Sequence, residues 1–427
     1  MNGRTVGGRR GGRSRAVLPS HTASEASGFL ARSARCGNPT RKNVVRYIGV
    51  LSLVATMATP TSPPADLPEP GSLGETFDVY EVEVTDDGAR YYGELEGARE
   101  AVEQRLATEF RDRGYRVRLA RETGEHVLVA TERSTTVEGI PWLNVVLFLA
   151  TVATTMFAGT QWYGYGLDAG ALRLLSAWPF AVAVLSVLAI HEFGHYVASR
   201  YHDVEATLPY FIPVPTALGT LGAIIRMKGH IPDREALFDI GVAGPLAGLV
   251  ATVVVTAIGV SLPPIDVSNA GGLAYATQYE LGYPPLIQVV AAALGEPLQY
   301  SDPGLAVNPV LVGGWVGAFV TFLNLLPVGQ LDGAHVSRAV LGERVELLRY
   351  VLPLVLFGLA AALVVFADGQ AVGIWILWGL LTLVFGRAGT ATPLDDSPVD
   401  WRRKAVGALT LVLGLLCFTP VPIVVTV

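Results

Sequence analysis

Two hydrophobic periodicities divide the chain near Pro141. Upstream, Phe77-Asp78-Val79-Tyr80-Glu81-Val82-Glu83-Val84 alternates with period two and predicts a strand. Residues 96–113 then place Ala98, Val102, Leu106 and Phe110 on one helical face, and Gly114 stops the helix. Residues 115–120 and 126–131 predict a hairpin around Glu122-Thr123-Gly124-Glu125. Downstream of Pro141 the alternation disappears. Runs of about 16–25 apolar residues follow, long enough to cross a hydrocarbon core of roughly 30 Å. Seven candidate spans fall near 142–160, 172–200, 238–262, 306–328, 346–366, 371–387 and 405–425, and residues 283–294 form an apolar stretch too short to cross.

The expected fold is therefore a polytopic α-helical membrane protein of about seven transmembrane helices, with a small amino-terminal α+β soluble domain. Residues 1–70 are Gly/Arg/Ser-rich, then Pro/Thr-rich, and read as a disordered leading tail or as sequence upstream of a start at Met57. Within them, residues 47–59 form a short apolar run behind Arg41, Lys42 and Arg46, the pattern of a signal-peptide core. Residues 71–140 form the soluble domain, which carries no chemical motif. Residues 141–427 form the membrane part, with a core at 172–345.

Composition supports a membrane assignment. The chain is 51% hydrophobic and 16% charged, against about 25% charged in soluble proteins. Cys36 and Cys417, the two cysteines, offer neither a disulfide framework nor a cysteine metal site. Residues 1–46 hold ten Lys/Arg against Glu25, which leaves 21 basic and 36 acidic residues beyond them. That acidic remainder argues against a nucleic-acid partner. Basic residues cluster at 200–234, 338–349 and 387–404, whereas 261–309 contains no Lys or Arg. Placing the basic loops in the cytoplasm gives seven alternating crossings and a cytoplasmic amino-terminal domain.

The second candidate span ends Leu188-Ala189-Ile190-His191-Glu192-Phe193-Gly194-His195-Tyr196. Histidines four apart share a helical face, so both imidazoles can hold one Zn²⁺, and Glu192 is placed as a base towards water at that metal rather than as a ligand. An ionisable residue at the centre of a membrane helix costs roughly 2.5–3.5 kcal/mol on insertion scales. Three within five residues point to a metal that converts them into ligands and partners. A catalytic zinc takes three protein ligands and keeps one open position. The third comes from the end of span four, where Asp332 and His335 both qualify. His191 lies nine residues before Arg200 and Asp332 six before Arg338, or about 14 Å and 9 Å along a helix, so both sets approach from one side. His21, His126, His202 and His230 sit in the tail or in polar segments and read as surface histidines.

At these residues the chain resembles the site-2 protease family of intramembrane zinc metalloproteases, over roughly residues 180–345. The resemblance rests on His191-Glu192-Phe193-Gly194-His195, Gly244-Pro245-Leu246-Ala247-Gly248, and Asn324-Leu325-Leu326-Pro327 followed by Leu331-Asp332-Gly333. Gly219-Thr220-Leu221-Gly222-Ala223-Ile224-Ile225 looks like the variant of plastid, cyanobacterial and archaeal members. The resemblance implies one Zn²⁺ per chain held by His191, His195 and Asp332, Glu192 as general base, and Asn324 positioning substrate or stabilising an oxyanion. It also implies a multi-pass cell-membrane protein whose partners are the bilayer and transmembrane protein substrates, with the site opening toward the cytoplasm. Many bacterial relatives carry a PDZ domain in a loop that is too short for one here.

Further readings concern the surroundings. Residues 218–227 suit a re-entrant edge strand pairing with an extended substrate, or an interfacial loop. Gly241, Ala243, Gly244, Ala247 and Gly248 permit close helix packing. A divalent-metal transporter is the alternative function, and an inactive membrane scaffold a third. A transporter needs a polar path across the whole bilayer, whereas here the polar residues stop at one depth. Oligomeric state and substrate identity are not encoded in any of these patterns.

Overall fold

A computed structural model of the chain describes residues 66–425, apart from 86, 123–124, 134–139, 166–169, 229 and 269–278. The leading tail to residue 65, with the 47–59 run and Cys36, lies outside the described residues, as does the hairpin tip at Thr123-Gly124.

The amino-terminal domain is a four-stranded antiparallel sheet with one covering helix. Strands β1 (Phe77–Thr85), β2 (Gly88–Leu95), β3 (Tyr115–Glu122) and β4 (Glu125–Glu132) stand in the order β1-β2-β4-β3. Helix α1 (Arg99–Arg111) buries Val102, Leu106 and Phe110 against Tyr91, Val117 and Leu128 of the sheet. Strand β2 is absent from the sequence reading. Its Arg90, Tyr92 and Glu94 alternate correctly, but Gly88 and Gly93 break the apolar signal. Gly93 is needed because a Cβ there would meet the Asp78 carbonyl oxygen at 2.5 Å. The tail boundary at residue 70 is also too late. Leu67 is buried in this core, and the Tyr91 hydroxyl donates to the Pro68 carbonyl at 3.0 Å.

The remainder is helical. In chain order it comprises α2 (Trp142–Trp162), α3 (Gly170–Ser176), α4 (Trp178–Tyr201), α5 (Arg234–Ser261), α6 (Pro285–Leu294), α7 (Val310–Asn324), α8 (Asp332–Leu341), α9 (Leu348–Phe366), α10 (Val372–Ala388) and α11 (Trp401–Leu416). Short strands β5 (Glu205–Ala206), β6 (Tyr210–Pro213), β7 (Thr220–Ile224) and β8 (Met227–Lys228) lie between α4 and α5. Among the described residues, four stretches are long and apolar enough to cross a membrane: Trp142–Trp162, Trp178–Tyr201, Arg234–Ser261 and the run Asp332–Phe366. Helices overlap all seven expected places, but Val310–Asn324 and Val372–Ala388 are shorter apolar helices and Trp401–Leu416 is not among the stretches long and apolar enough to cross. Span four ends at Asn324 because Pro327 and Gly329, at φ 63°, turn the chain before α8. Span two divides at Ala177, where Pro179 opens a new helix.

Helices α4, α5 and α7 form the centre. In α4 and α5, 56% and 61% of the most apolar window is buried, against 28% in α2. Glycines on α7 make this closeness possible. Added Cβ atoms at Gly313, Gly314 and Gly317 would lie 2.6 Å from Ala183 Cβ, 2.3 Å from Thr256 Oγ1 and 2.2 Å from Thr252 Oγ1. Without a hydrophobic drive between helices in lipid, such backbone approach supplies the contact.

Candidate metal centre

The site forms where α4, α5 and the α7–α8 junction meet. His191, Glu192 and His195 are all buried near the carboxyl-terminal end of α4. Opposite them, α5 presents glycines rather than side chains. A Cβ on Gly244 would lie 2.0 Å from His195 Nε2, one on Gly248 would lie 2.8 Å from His191 Nδ1, and one on Gly194 would strike the Ala243 carbonyl at 2.6 Å. The sequence reading gave these glycines a packing role. They also leave room for the imidazoles.

Asp332 is the first residue of α8, where a carboxylate complements the helix dipole. Gly333 lets that turn sit against the end of α7, since a Cβ there would meet the Leu325 carbonyl oxygen at 2.0 Å. Asp332 is thereby carried to the histidines, with its Oδ2 3.1 Å from both His191 Nε2 and His195 Nε2. The two Nε2 atoms are 3.2 Å apart. A tetrahedral ion with bonds of about 2.0–2.1 Å has edges of roughly 3.3–3.4 Å between its ligand atoms. The three donors therefore form nearly one face of such a tetrahedron. The donor chemistry fits as well, because two imidazole nitrogens facing each other beside a carboxylate need a shared cation or proton.

The tautomer of one ligand is fixed from behind. His195 Nδ1 lies 2.8 Å from the Ile240 carbonyl, an oxygen that can only accept. The proton therefore sits on Nδ1, and Nε2 keeps its lone pair for the site. Asn324, the last residue of α7, places Nδ2 3.2 Å from His191 Nε2. Glu192 stands outside the converging trio, with the backbone of Ile225 beside its carboxylate. His335 is buried one turn beyond Asp332, with its Cβ against Gly241, and does not join the group.

The Ile225 contact brings the β6–β7 hairpin to the site. Strand β7 pairs antiparallel with β6, matching Tyr210 with Ile224 and Phe211 with Ala223. Helix α2 fastens the hairpin: Thr154 Oγ1 donates to the Gly219 carbonyl at 2.6 Å and Trp162 Nε1 to the Ala217 carbonyl at 2.7 Å. The second edge of β7 has no strand partner among the described residues, and Leu221 and Ile224 are exposed. A second polar cluster escaped the sequence reading. His202 Nε2 lies 3.0 Å from Asp239 Oδ2, and Arg403 holds the same carboxylate through Nε at 2.9 Å and Nη2 at 3.0 Å. A charged Asp239 at the start of an apolar run was the available signal.

Residues 179–365 match the model of peptidase family M50. Over that segment, less than half of the chain, the sequence is similar to that family. The M50 segment contains His191, Glu192, His195, Asn324 and Asp332, whereas the amino-terminal sheet and α2 lie outside it. Among curated proteins, the chain is 32% identical to the probable zinc metalloprotease EGY1, chloroplastic, of Arabidopsis thaliana over 248 residues, covering 58% of this chain and 43% of that protein. It is 27% identical to EGY2 of the same plant over 251 residues, or 58% and 42%. With EGY3 of Oryza sativa subsp. indica it is 28% identical over 305 residues, or 66% and 48%. The chain thus spans less than half the length of these curated relatives. No solved structure matches it.

Proposed function

We propose that the protein is a zinc-dependent intramembrane endopeptidase that cleaves transmembrane segments of membrane proteins. One observation carries the reading: two imidazole nitrogens of α4 and one carboxylate oxygen at the start of α8 converge within 3.1–3.2 Å, with a buried glutamate beside them. The names of the plant relatives support zinc as the ion, and His191, His195 and Asp332 are the residues that would hold it. When bound, the metal polarises the scissile carbonyl and acidifies water. Glu192 takes a proton from the attacking water and returns it to the departing amine. Asn324 directs its amide at the same space and steadies the oxygen that gains charge.

A helical substrate shields its carbonyls in intrahelical hydrogen bonds, so it must unwind to be cut. The free edge of β7, ending beside Glu192, suits a substrate strand that exchanges those bonds for pairing with the hairpin. The basic clusters at 200–234, 338–349 and 387–404 support a multi-pass arrangement of seven crossings, with the site opening toward the cytoplasm and residues 71–140 on that side. The transport alternative draws no support from the comparisons.

The test is Glu192→Gln in the purified full chain with a candidate membrane substrate. Retained zinc with cleavage reduced to background is the expected outcome. Cleavage at the wild-type rate would remove Glu192 from the chemistry.

A further inference from the structure

We propose that the amino-terminal domain is a splint that holds the two halves of the metal site in register, one arm on α4 and the other, through residues 393–400, on α8. The inference rests on reading His191, His195 and Asp332 as a zinc site. It assigns positioning roles to Arg111, Arg133 and Asp396.

The first arm grips α4 just beyond its ligands. Arg111 Nη2 donates to the His202 carbonyl at 3.2 Å, and Arg133 donates to the Asp203 carbonyl. These oxygens follow the last turn of α4, where intrahelical donors run out and the dipole is negative. Arg116 adds an ion pair to Glu205 at 2.7 Å. All three arginines belong to the soluble domain, and the carbonyls held by Arg111 and Arg133 lie seven and eight residues past His195.

The second arm runs through the α10–α11 connection. Gln104 on α1 donates to the Leu394 carbonyl at 2.8 Å, and the Leu394 side chain packs against the soluble domain's core. The next residues turn to the membrane part. Leu394 N donates to the Ile231 carbonyl and Asp395 N to the Pro232 carbonyl, each at 2.9 Å. The Asp396 carboxylate accepts from Arg234 at 2.7 Å through both oxygens, and its Oδ1 lies 3.1 Å from Arg338 Nη2. Arg338 is only 6% exposed and stands six residues past Asp332 on α8. A buried guanidinium deprived of its carboxylate does not stay in place at low cost, so the position of Arg338 is tied to that of Asp396.

The soluble domain therefore touches the end of α4 directly and is linked to α8 through residues 394–396, at similar distances beyond the ligands of each helix. Helix α8 has ten residues and is entered by a turn containing Pro327 and Gly329, so its axis is set by what packs against it: α5, through Val336 and Ala339, and Asp396 through Arg338. Metal ligands tolerate displacements of about 0.2 Å, so a small change in the angle between α4 and α8 changes affinity.

The experiment uses the full chain in detergent and compares wild type, the triple variant Gln104→Ala/Arg111→Ala/Arg133→Ala, Asp396→Asn and Asp396→Glu. Zinc affinity is read by chelator competition, ligand geometry from the absorption bands of the cobalt-loaded protein, and folding by circular dichroism. The triple variant and Asp396→Asn are expected to weaken zinc roughly tenfold, the lower end for residues that support metal ligands, and to shift the cobalt bands while helicity is kept. Asp396→Glu is expected to restore both. If the triple variant does not fold, Asp396→Asn alone decides by the same readings. Zinc affinity within twofold of wild type and unchanged cobalt bands in folded Asp396→Asn overturn the splint and leave the site. Wild-type protein that takes up no zinc removes the site reading and the splint with it.

Discussion

Replacing Gly244 by alanine tests whether the close approach of α5 exists for the metal site rather than for packing alone. The added methyl would lie 2.0 Å from His195 Nε2, 2.3 Å from Cδ2 and 2.5 Å from Cε1. Ordinary contact begins near 3.4 Å, so the ring or the helix must retreat by about 1.4 Å. The imidazole cannot rotate away cheaply, because Nδ1 is held by the Ile240 carbonyl at 2.8 Å on the same helix that carries the new methyl. A retreat of that size is several times the roughly 0.2 Å that metal–ligand distances tolerate.

Helix propensity acts in the opposite sense, since Ala is favoured over Gly by about 1 kcal/mol within a helix. A loss at the site is therefore not a general loss of helix. Zinc affinity should fall by roughly a hundredfold or more, beyond what removing a supporting residue does, and proteolysis should fall with it. Gly248→Ala, whose methyl would lie 2.8 Å from His191 Nδ1, should weaken zinc less. Gly358→Ala on α9, with nothing within 4 Å, should do nothing. The assay is zinc content after equilibration with a chelator buffer, beside circular dichroism and substrate cleavage. A folded Gly244→Ala protein that holds zinc with wild-type affinity would refute the reasoning.

Other substitutions separate the remaining roles. Asp332→Ala should lower zinc affinity by roughly a hundredfold, whereas His335→Ala should leave it within about threefold; the reverse order would make His335 the third ligand. Asn324→Ala should keep zinc and KM while lowering kcat by roughly a hundredfold, as loss of an oxyanion donor does, and a change confined to KM would make Asn324 a binding residue. The hydrogen bonds from Arg234 hold the Asp396 carboxyl below its ordinary range. A carboxyl depressed in the folded state contributes stability above its ordinary pKa and loses it as pH falls through the lowered value. The gap in thermal midpoint between wild type and Asp396→Asn should therefore be constant from pH 7 to 5 and shrink below about pH 4. A gap independent of pH would place the interaction elsewhere.

The sequence was most informative where a residue type has one chemical use. His191, Glu192 and His195 at helical spacing in an apolar run outline half the candidate site before any fold is known, and the extreme apolarity of 172–200 and 238–262 marks the helices that carry and face them. Asp332 was harder. Its place depends on a break at Pro327 and Gly329 and on Gly333 fitting under Leu325, which are tertiary facts that periodicity cannot register. The β6–β7 hairpin was half legible. Residues 218–227 looked extended, but the partner Tyr210–Pro213 contains a proline and no alternation. Strand β2 and the Asp239–Arg403 pair were lost for the same reason: glycines or charges inside a segment lowered its score, although neighbours elsewhere in the chain account for each.

Polar chemistry in an apolar bundle needs each polar group to be answered by another, and here the answers come from backbone made bare. Ile240 offers its carbonyl to His195, the Ile225 backbone lies beside Glu192, and the glycines at 244 and 248 clear the space in which the imidazoles stand. None of these contacts uses a polar side chain that would itself need satisfying at that depth. The charge at the site is then reduced to Asp332 and Glu192, and on the proposed reading a divalent ion held by the first would leave the second as the group free to exchange a proton. On the proposed reading, a substrate unwound in the membrane would bring unpaired backbone groups, and the free edge of β7 could receive them.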